Sequence, residues 1–335
     1  MTMNAQQELR IGVVGVGHLG SLHAKMLSDI PGVRLAAVYD ADVARGEAVA
    51  SQYGTACAGS LDALLDAVDA VTIATTTVAH ADVALRALER GKHVFVEKPI
   101  TETIGEAKAL CEAASRRRLL LQVGHIERFN PAILALEKYT IAPMFVESHR
   151  LAQFNPRGTD VGVVLDLMIH DIDLILSFVR SPVRSVEANG VAVVSDSVDI
   201  ANARIQFENG CVANVTASRI SQRKMRKMRL FQKSGYISID FSEGTAEVFR
   251  LVGEGEPEAK GTMMLGELGS GKHRRKIVYE LPEVKEVNAL RHELALFADA
   301  IVTGRPPVVS GEDGARALEV AGAIMEKISQ QSFAV

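Results

Sequence analysis

Five short apolar runs punctuate the first part of the chain: Ile11 to Val16, Val33 to Tyr39, Val68 to Ala74, His93 to Val96 and Leu119 to Val123. Each is nearly continuous, the pattern of a strand buried on both faces. Between them, Leu19 to Leu27, Ala41 to Tyr53, His80 to Arg90 and Ile104 to Arg117 place apolar residues at helical spacing. Gly91 closes the third of these as a helix-end glycine. Strand alternating with helix predicts a parallel sheet with helices on both faces.

After Gly124-His125 this alternation stops. Asn130-Pro131 reads as a helix start, with proline at the first helical position. From Met144 onward the chain is strand-rich: Val183 to Val194, Ile200 to Phe207, Val212 to Ser218, Met228 to Gln232, Gly235 to Asp240 and Thr245 to Leu251. Asn209-Gly210 between two of them is a hairpin signal. Leu290 to Ile301 and Glu312 to Ser329 read as closing helices. The pattern predicts an α/β chain of two domains, residues 1–125 and 126–335, the second built on a large, mostly antiparallel open sheet.

One helix stands out in the second half. Val163 to Phe178 is apolar nearly all round, so it should be buried. Its polar exceptions at 166, 170, 173 and 177 form one narrow stripe, with Asp171 off it. Burying ionisable groups without partners costs several kcal/mol each, about enough to demand either a wet cavity or internal pairing. Asp166 and His170 are therefore site candidates, and Asp173 is assigned a structural role.

The turn after the first strand carries the clearest chemical motif. Gly15, Gly17 and Gly20 give G-x-G-x-x-G between a strand and a helix, and the second strand ends in Asp40, twenty residues after Gly20. Glycine is needed for the tight turn, for close approach of a pyrophosphate and for helix–strand packing; the acid meets ribose hydroxyls. This predicts a Rossmann-type dinucleotide site for NAD, with NADP disfavoured because Asp40 repels a 2′-phosphate. Asp40 also reads as a cap for the helix that follows. His18 and Leu19 in the glycine turn, and Thr75 and Thr76 at the next strand end, are further cofactor candidates. Thr75 to Thr77 read equally as a locally bonded turn.

The run from His93 to Val96 ends abruptly in Glu97-Lys98-Pro99. Ligands of such sheets bind at the carboxyl ends of the strands, which makes Lys98 a catalytic candidate and Glu97 and Lys98 cofactor neighbours. Proline stops the strand behind them. A dinucleotide, a lysine and an Asp-x-x-x-His pair suit oxidation of a secondary alcohol. That reaction needs a base for the hydroxyl proton and a donor for the developing oxyanion. His170 and Lys98 supply these groups, and sequence leaves open which of them takes the proton. Asp166 orients His170 or accepts bonds from substrate hydroxyls.

Gly15-x-Gly17-x-x-Gly20, Glu97-Lys98-Pro99 and Asp166-x-x-x-His170 together resemble the Gfo/Idh/MocA oxidoreductase family, over essentially the whole chain including Phe297 to Pro307. The resemblance implies that Lys98, Asp166 and His170 form the catalytic site. It also implies that the open sheet of the second domain forms homodimers or homotetramers. Gly124 to Pro131 and Arg150 to Gly162 resemble the members acting on UDP-N-acetyl amino sugars. That narrower likeness implies a UDP-sugar substrate, oxidation to a 3-keto sugar, and a place in lipid A precursor synthesis. It makes Arg128, Phe129, Asn130, Arg150 and Arg157 substrate-binding candidates beside Asp166 and His170. Arg128, Arg150 and Arg157 can meet a diphosphate; otherwise they are solvated surface arginines. The competing readings are a dehydrogenase of a free sugar or inositol, and a dinucleotide-binding regulator without turnover.

Composition narrows the rest. The 335 residues are 47% hydrophobic and 23% charged with net charge −4, which argues against general affinity for nucleic acid or an anionic membrane. Three dispersed cysteines without a C-x-x-C pair fit a reducing cytoplasm. Met1 to Arg10 lacks the apolar core of a signal peptide, and no uninterrupted apolar run approaches the ~18 residues of a membrane span. Gly266-x-x-x-x-Gly271-Lys272 mimics a phosphate loop but continues into His273 and a strand-like run, so it reads as a hairpin tip. Arg223 to Arg229 reads as an exposed strand face or subunit contact, and Arg116 to Arg118 as a basic helix end. No metal site is expected.

Overall fold

The computed structural model describes residues 8–155, 161–233, 235–253, 262–269 and 275–331. They fall into two compact units. Unit 1 comprises residues up to Ile126 together with Asn288–Leu318; unit 2 comprises Glu127–Val287 and the chain from Glu319.

Unit 1 alternates β1 (Leu9–Val14), α1 (His18–Leu27), β2 (Val33–Tyr39), α2 (Val43–Tyr53), β3 (Ala56–Cys57), α3 (Leu61–Ala67), β4 (Ala70–Ile73), α4 (His80–Glu89), β5 (His93–Glu97), α5 (Ile104–Arg117) and β6 (Leu121–Gly124). The strands are parallel in the order β3-β2-β1-β4-β5-β6. The order reverses between β1 and β4, the place where such sheets bind ligands. Arg86 and Arg90 of α4 pair with Asp62 and Asp66 of α3 on one face.

The sequence boundary at 125/126 assigns all of residues 126–335 to the second domain. The structure instead returns 288–318 to unit 1. The reason is burial: α8 (Ala289–Thr303) places Leu290, Leu294, Phe297 and Ala298 in one core with Ile11, Leu27, Val49 and Phe95. Phe297 meets Phe95 edge-on, ring centroids 5.7 Å apart. The chain then covers the β6 edge, where Val123 N–H donates to the Val309 carbonyl at 3.1 Å. This is one way an edge strand is protected from further pairing.

Unit 2 contains α6 (Pro131–Leu134), β7 (Phe145–Leu151), α7 (Ile169–Phe178), β8 (Val183–Val191), β9 (Ile200–Phe207), β10 (Val212–Ser218), β11 (Met225–Gln232), β12 (Gly235–Asp240), β13 (Thr245–Gly253), β14 (Met263–Leu268) and β15 (Arg275–Glu280). These strands form one sheet in the order β14-β15-β13-β12-β11-β7-β10-β9-β8. Pairing is antiparallel except between β7 and β10. Asn209-Gly210 forms the β9–β10 turn, with Gly210 at φ +86°. Gly266, expected at a hairpin tip, instead lies within β14 opposite Ile277 of β15; Gly271 and Lys272 lie outside the described residues. The closing helix α9 (Gly311–Ser329) belongs to unit 1 up to Leu318 and to unit 2 beyond it.

The two faces of this second sheet differ. Val146, Ala203, Ile205, Ala213, Val215, Met228 and Leu230 are buried on the face that carries α7. Small side chains on β9 and β10 let that apolar helix approach closely. On the opposite face Phe145, Phe231, Tyr236, Phe249 and Tyr279 form a half-buried ladder, consecutive ring centroids 4.9 to 5.7 Å apart.

Candidate active site

In unit 1 the candidate residues gather at the carboxyl ends of β1, β2, β4 and β5. The glycines have distinct tasks. Gly15 has φ +81°, and a Cβ there would lie 2.7 Å from the Thr75 methyl. A Cβ on Gly20 would fall 1.8 Å from the Gly15 carbonyl oxygen, so Gly20 is fixed by helix–turn packing. Nothing lies within 4 Å of a Cβ on Gly17. Gly17 is also the amino-terminal cap of α1 and, lacking a side chain, makes no capping bond to the helix start. The open space at Gly17 and the uncapped N–H groups fit a dinucleotide pyrophosphate. His18 and Leu19 are exposed on the same first turn.

Asp40 bonds the turn itself. Its Oδ2 accepts from Val16 N–H at 2.8 Å and its Oδ1 from Asp42 N–H at 2.9 Å. The cap of α2 is Asp42, which accepts from Arg45 N–H at 3.2 Å. The capping alternative thus passes to Asp42, and Asp40 is left tying the end of β2 to the glycine turn.

Lys98 follows β5 directly and is half-buried; its peptide bond to Pro99 is cis. Two buried histidines hold its surroundings. His23 of α1 is fully buried, with Nε2 3.0 Å from Glu97 Oε1 and its ring edge-on to Phe95. The other Glu97 oxygen accepts from Lys98 N–H at 3.3 Å. A Cβ on Gly124 would meet the Glu97 carboxyl at 2.8 Å, so this acid is boxed in. His80 places Nδ1 2.9 Å from the Pro99 carbonyl and Nε2 3.2 Å from the Thr75 carbonyl, linking two strand ends. Burial pulls the His80 pKa down, and the carbonyl bonds oppose this only in part. Neither histidine was selected from sequence. His23 could have been, since it shares the buried side of α1 with Gly20, Ala24 and Leu27.

In unit 2 the predicted straight helix is interrupted. Val164–Met168 forms a π-helical turn and α7 follows from Ile169. The wider turn slips the phase of the polar stripe. Asp166, His170 and Ser177 are half-buried, while Asp171 and Asp173 are each 1% exposed. Asp166 and His170 stay one turn apart. Asp173 leaves them, in line with its structural assignment, and so does Asp171.

The two buried aspartates hold the arginines expected to meet a diphosphate. Arg150 gives Nε and one terminal nitrogen to Asp171, at 3.1 and 2.8 Å, and the other terminal nitrogen to Glu127 at 2.8 Å. It is 2% exposed, so it is neither a surface arginine nor turned toward a ligand. Arg128 binds Asp173 bidentately at 2.7 and 2.6 Å. Phe129 is buried, and Asn130 caps α6 while donating to the Phe241 carbonyl at 3.2 Å. Of these four substrate candidates, Phe129 and Arg150 are buried, Arg128 and Asn130 are half-buried, and both arginines are paired with acids. The physical reason is charge balance, since two acids on a buried helix need fixed cations. Arg157 lies outside the described residues.

Residues 9–125 match the family described as "Oxidoreductase family, NAD-binding Rossmann fold", and residues 143–247 match the "GFO/IDH/MocA C-terminal domain". The chain belongs to the Gfo/Idh/MocA oxidoreductase family. It is 37% identical to UDP-N-acetylglucosamine 3-dehydrogenase of Acidithiobacillus ferrooxidans over 97% of this chain and 98% of that one. A solved structure of that enzyme superposes with a TM-score of 0.85, covering 96% and 98% of the two chains. Inositol 2-dehydrogenase of Rhizobium meliloti is 28% identical over 96% and 98%. Scyllo-inositol 2-dehydrogenase (NAD(+)) of Bacillus subtilis is 32% identical over 64% and 69%. The chain is thus an oxidoreductase-family member with a nicotinamide dinucleotide domain. Among the described residues no helix is long and apolar enough to cross a membrane.

Proposed function

We propose that this chain oxidises a secondary hydroxyl of a UDP-sugar, UDP-N-acetylglucosamine to its 3-keto form, with NAD. The observation that carries the reading is the 37% identity to UDP-N-acetylglucosamine 3-dehydrogenase along nearly the full length of both chains. When bound, NAD supplies the hydride acceptor. Lys98 steadies the oxygen of the reacting hydroxyl as its negative charge develops. His170 accepts the hydroxyl proton. Asp166, one turn away, orients the imidazole. Asp40 at the end of β2 favours ribose hydroxyls over a 2′-phosphate, hence NAD over NADP.

The same reading places the enzyme in the cytoplasm, ahead of a transamination of the 3-keto sugar in lipid A precursor synthesis. Three free thiols suit that compartment. The aromatic ladder on the open sheet supports a homo-oligomer, because large apolar patches on one face mark contact surfaces.

The test is purified protein with NAD and UDP-N-acetylglucosamine, followed by NADH absorbance and by mass of the sugar nucleotide. A product lighter by two hydrogen atoms is expected. Its absence, with turnover of an inositol or free sugar, moves the substrate to the class of the inositol relatives. Binding of NAD without turnover of any of these leaves a regulator.

A further inference from the structure

Unit 2 contains a cleft of about 720 Å³ beside β7 and β11, lined by Phe154, Asp166, Arg219, Lys224, Arg226 and Ser242 among others. That volume lies in the usual range for small-molecule sites. Its charges are the notable feature: three cations and one carboxylate, in a chain whose net charge is −4.

The register explains how the basic run contributes. On β11, Arg226 pairs across to Arg150 and shares a face with buried Met228 and Leu230. Lys227 and Arg229 point to the other face and pair with Asp240 and Glu147. The exposed strand face read from sequence is therefore only half of this run; Lys224 and Arg226 line the cleft. Arg226 has a 3.7 Å contact to Glu127 Oε1, an oxygen that already accepts from Arg150 at 2.8 Å. Arg219 is 5% exposed, anchored by donation to the Val161 carbonyl and lying 3.9 Å from Asp199. Phe154 is 47% exposed, a large aromatic open to the cleft.

We propose that this cleft is the nucleoside diphosphate subsite, with Arg219, Lys224 and Arg226 on the diphosphate, Phe154 stacked on the base and Asp166 at the sugar end. The inference rests on the sugar-nucleotide reading above and replaces Arg128 and Arg150, which are held by aspartates. The three cations lining the cleft suit the negative charge of a diphosphate diester. Guanidinium and ammonium donors give charge-assisted bonds to its oxygens. Aromatic faces stack on any base.

The experiment is calorimetric titration of UDP into the full-length protein and into K224A/R226A and F154A, with steady-state kinetics on UDP-N-acetylglucosamine. NAD affinity serves as the check that the variants are folded. UDP should bind the wild type and bind K224A/R226A at least tenfold more weakly, with the slope of affinity against salt reduced. KM should rise in parallel while kcat stays within about threefold, as for loss of uniform binding. F154A should weaken UDP but not inorganic pyrophosphate. An unchanged UDP affinity and KM in K224A/R226A, or no UDP binding to the wild type, would overturn the subsite even where the wild type oxidises UDP-N-acetylglucosamine. UDP binding that depends on Lys224 and Arg226, with no UDP-sugar oxidised, would keep the subsite and remove the reading it rests on.

Discussion

His23 Nε2 lies 3.0 Å from Glu97 Oε1, so a helix that begins at the glycine turn holds the residue immediately before Lys98. The pair is buried, and its second carboxylate oxygen reaches the Lys98 backbone. Replacing His23 by Leu leaves Glu97 without this partner and should cost about 2 kcal/mol of stability. It should also lower kcat several-fold through a displaced Lys98. H23Q, whose amide can still donate to Glu97, should recover part of both. Thermal unfolding and steady-state kinetics check this; a kcat unchanged in H23L removes the positioning role.

Two glycines of one turn should respond oppositely to alanine. Gly17→Ala meets nothing within 4 Å, whereas Gly20→Ala drives a Cβ to 1.8 Å from the Gly15 oxygen. G17A should fold with wild-type stability and bind NAD at least tenfold more weakly, because the methyl stands where a pyrophosphate approaches. G20A should be destabilised before any cofactor is added. Differential scanning calorimetry with and without NAD separates the cases.

Arg150 neutralises Asp171 and Glu127 inside unit 2. Arg150→Met leaves two buried acids facing each other without their cation and should cost about 3–5 kcal/mol. Adding Asp171→Leu and Glu127→Gln should return most of that loss, since the unpaired charges go too. Urea unfolding of the single and triple variants decides it. A single variant that is stable but has a raised KM would return Arg150 to the substrate.

Acid should destabilise the protein above the carboxylate range. Burial lowers the pKa of His80 and of His93 from the ordinary 6.5. The unfolded chain therefore takes up protons near pH 6.5 while the folded chain does not, and stability falls as pH drops through that value. The urea midpoint should be lower at pH 5.8 than at pH 7.5, and H80Q should show a shallower change. Equal slopes for wild type and H80Q would exclude His80 as a source.

The aromatic ladder gives a test of assembly. Tyr236 and Phe249 stack 5.3 Å apart on the face away from α7. Tyr236→Asp should shift an oligomer toward monomer in light scattering while NAD binding persists. Elution unchanged from the wild type would take the interface elsewhere.

Much of the fold was legible in the chain. The βα alternation, the glycine turn and the β9–β10 hairpin are local patterns, set by periodicity and turn chemistry. The Lys98, Asp166 and His170 positions were also visible, because charge at a strand end or on an apolar helix stands out. Long-range pairing was not legible. Nothing near Arg150 or Arg128 in sequence announces Asp171 and Asp173, which lie 21 and 45 residues on. The π turn at Val164–Met168 has no periodicity of its own, so Asp173 read as lying on the stripe of Asp166 and His170. Lys224 and Arg226 looked like part of a uniform basic run until the register set alternate residues on opposite faces.

Unit 1 is finished late. Its sheet is complete at Gly124, but Leu290, Leu294 and Phe297 belong to the same core. A ribosome adding about 5–20 residues per second delivers Leu290 roughly 8–30 s after Gly124. Through that interval Phe95 and Leu27 lack the helix that covers them. The nascent cofactor domain must wait, partly open, for the whole of the second sheet to be made.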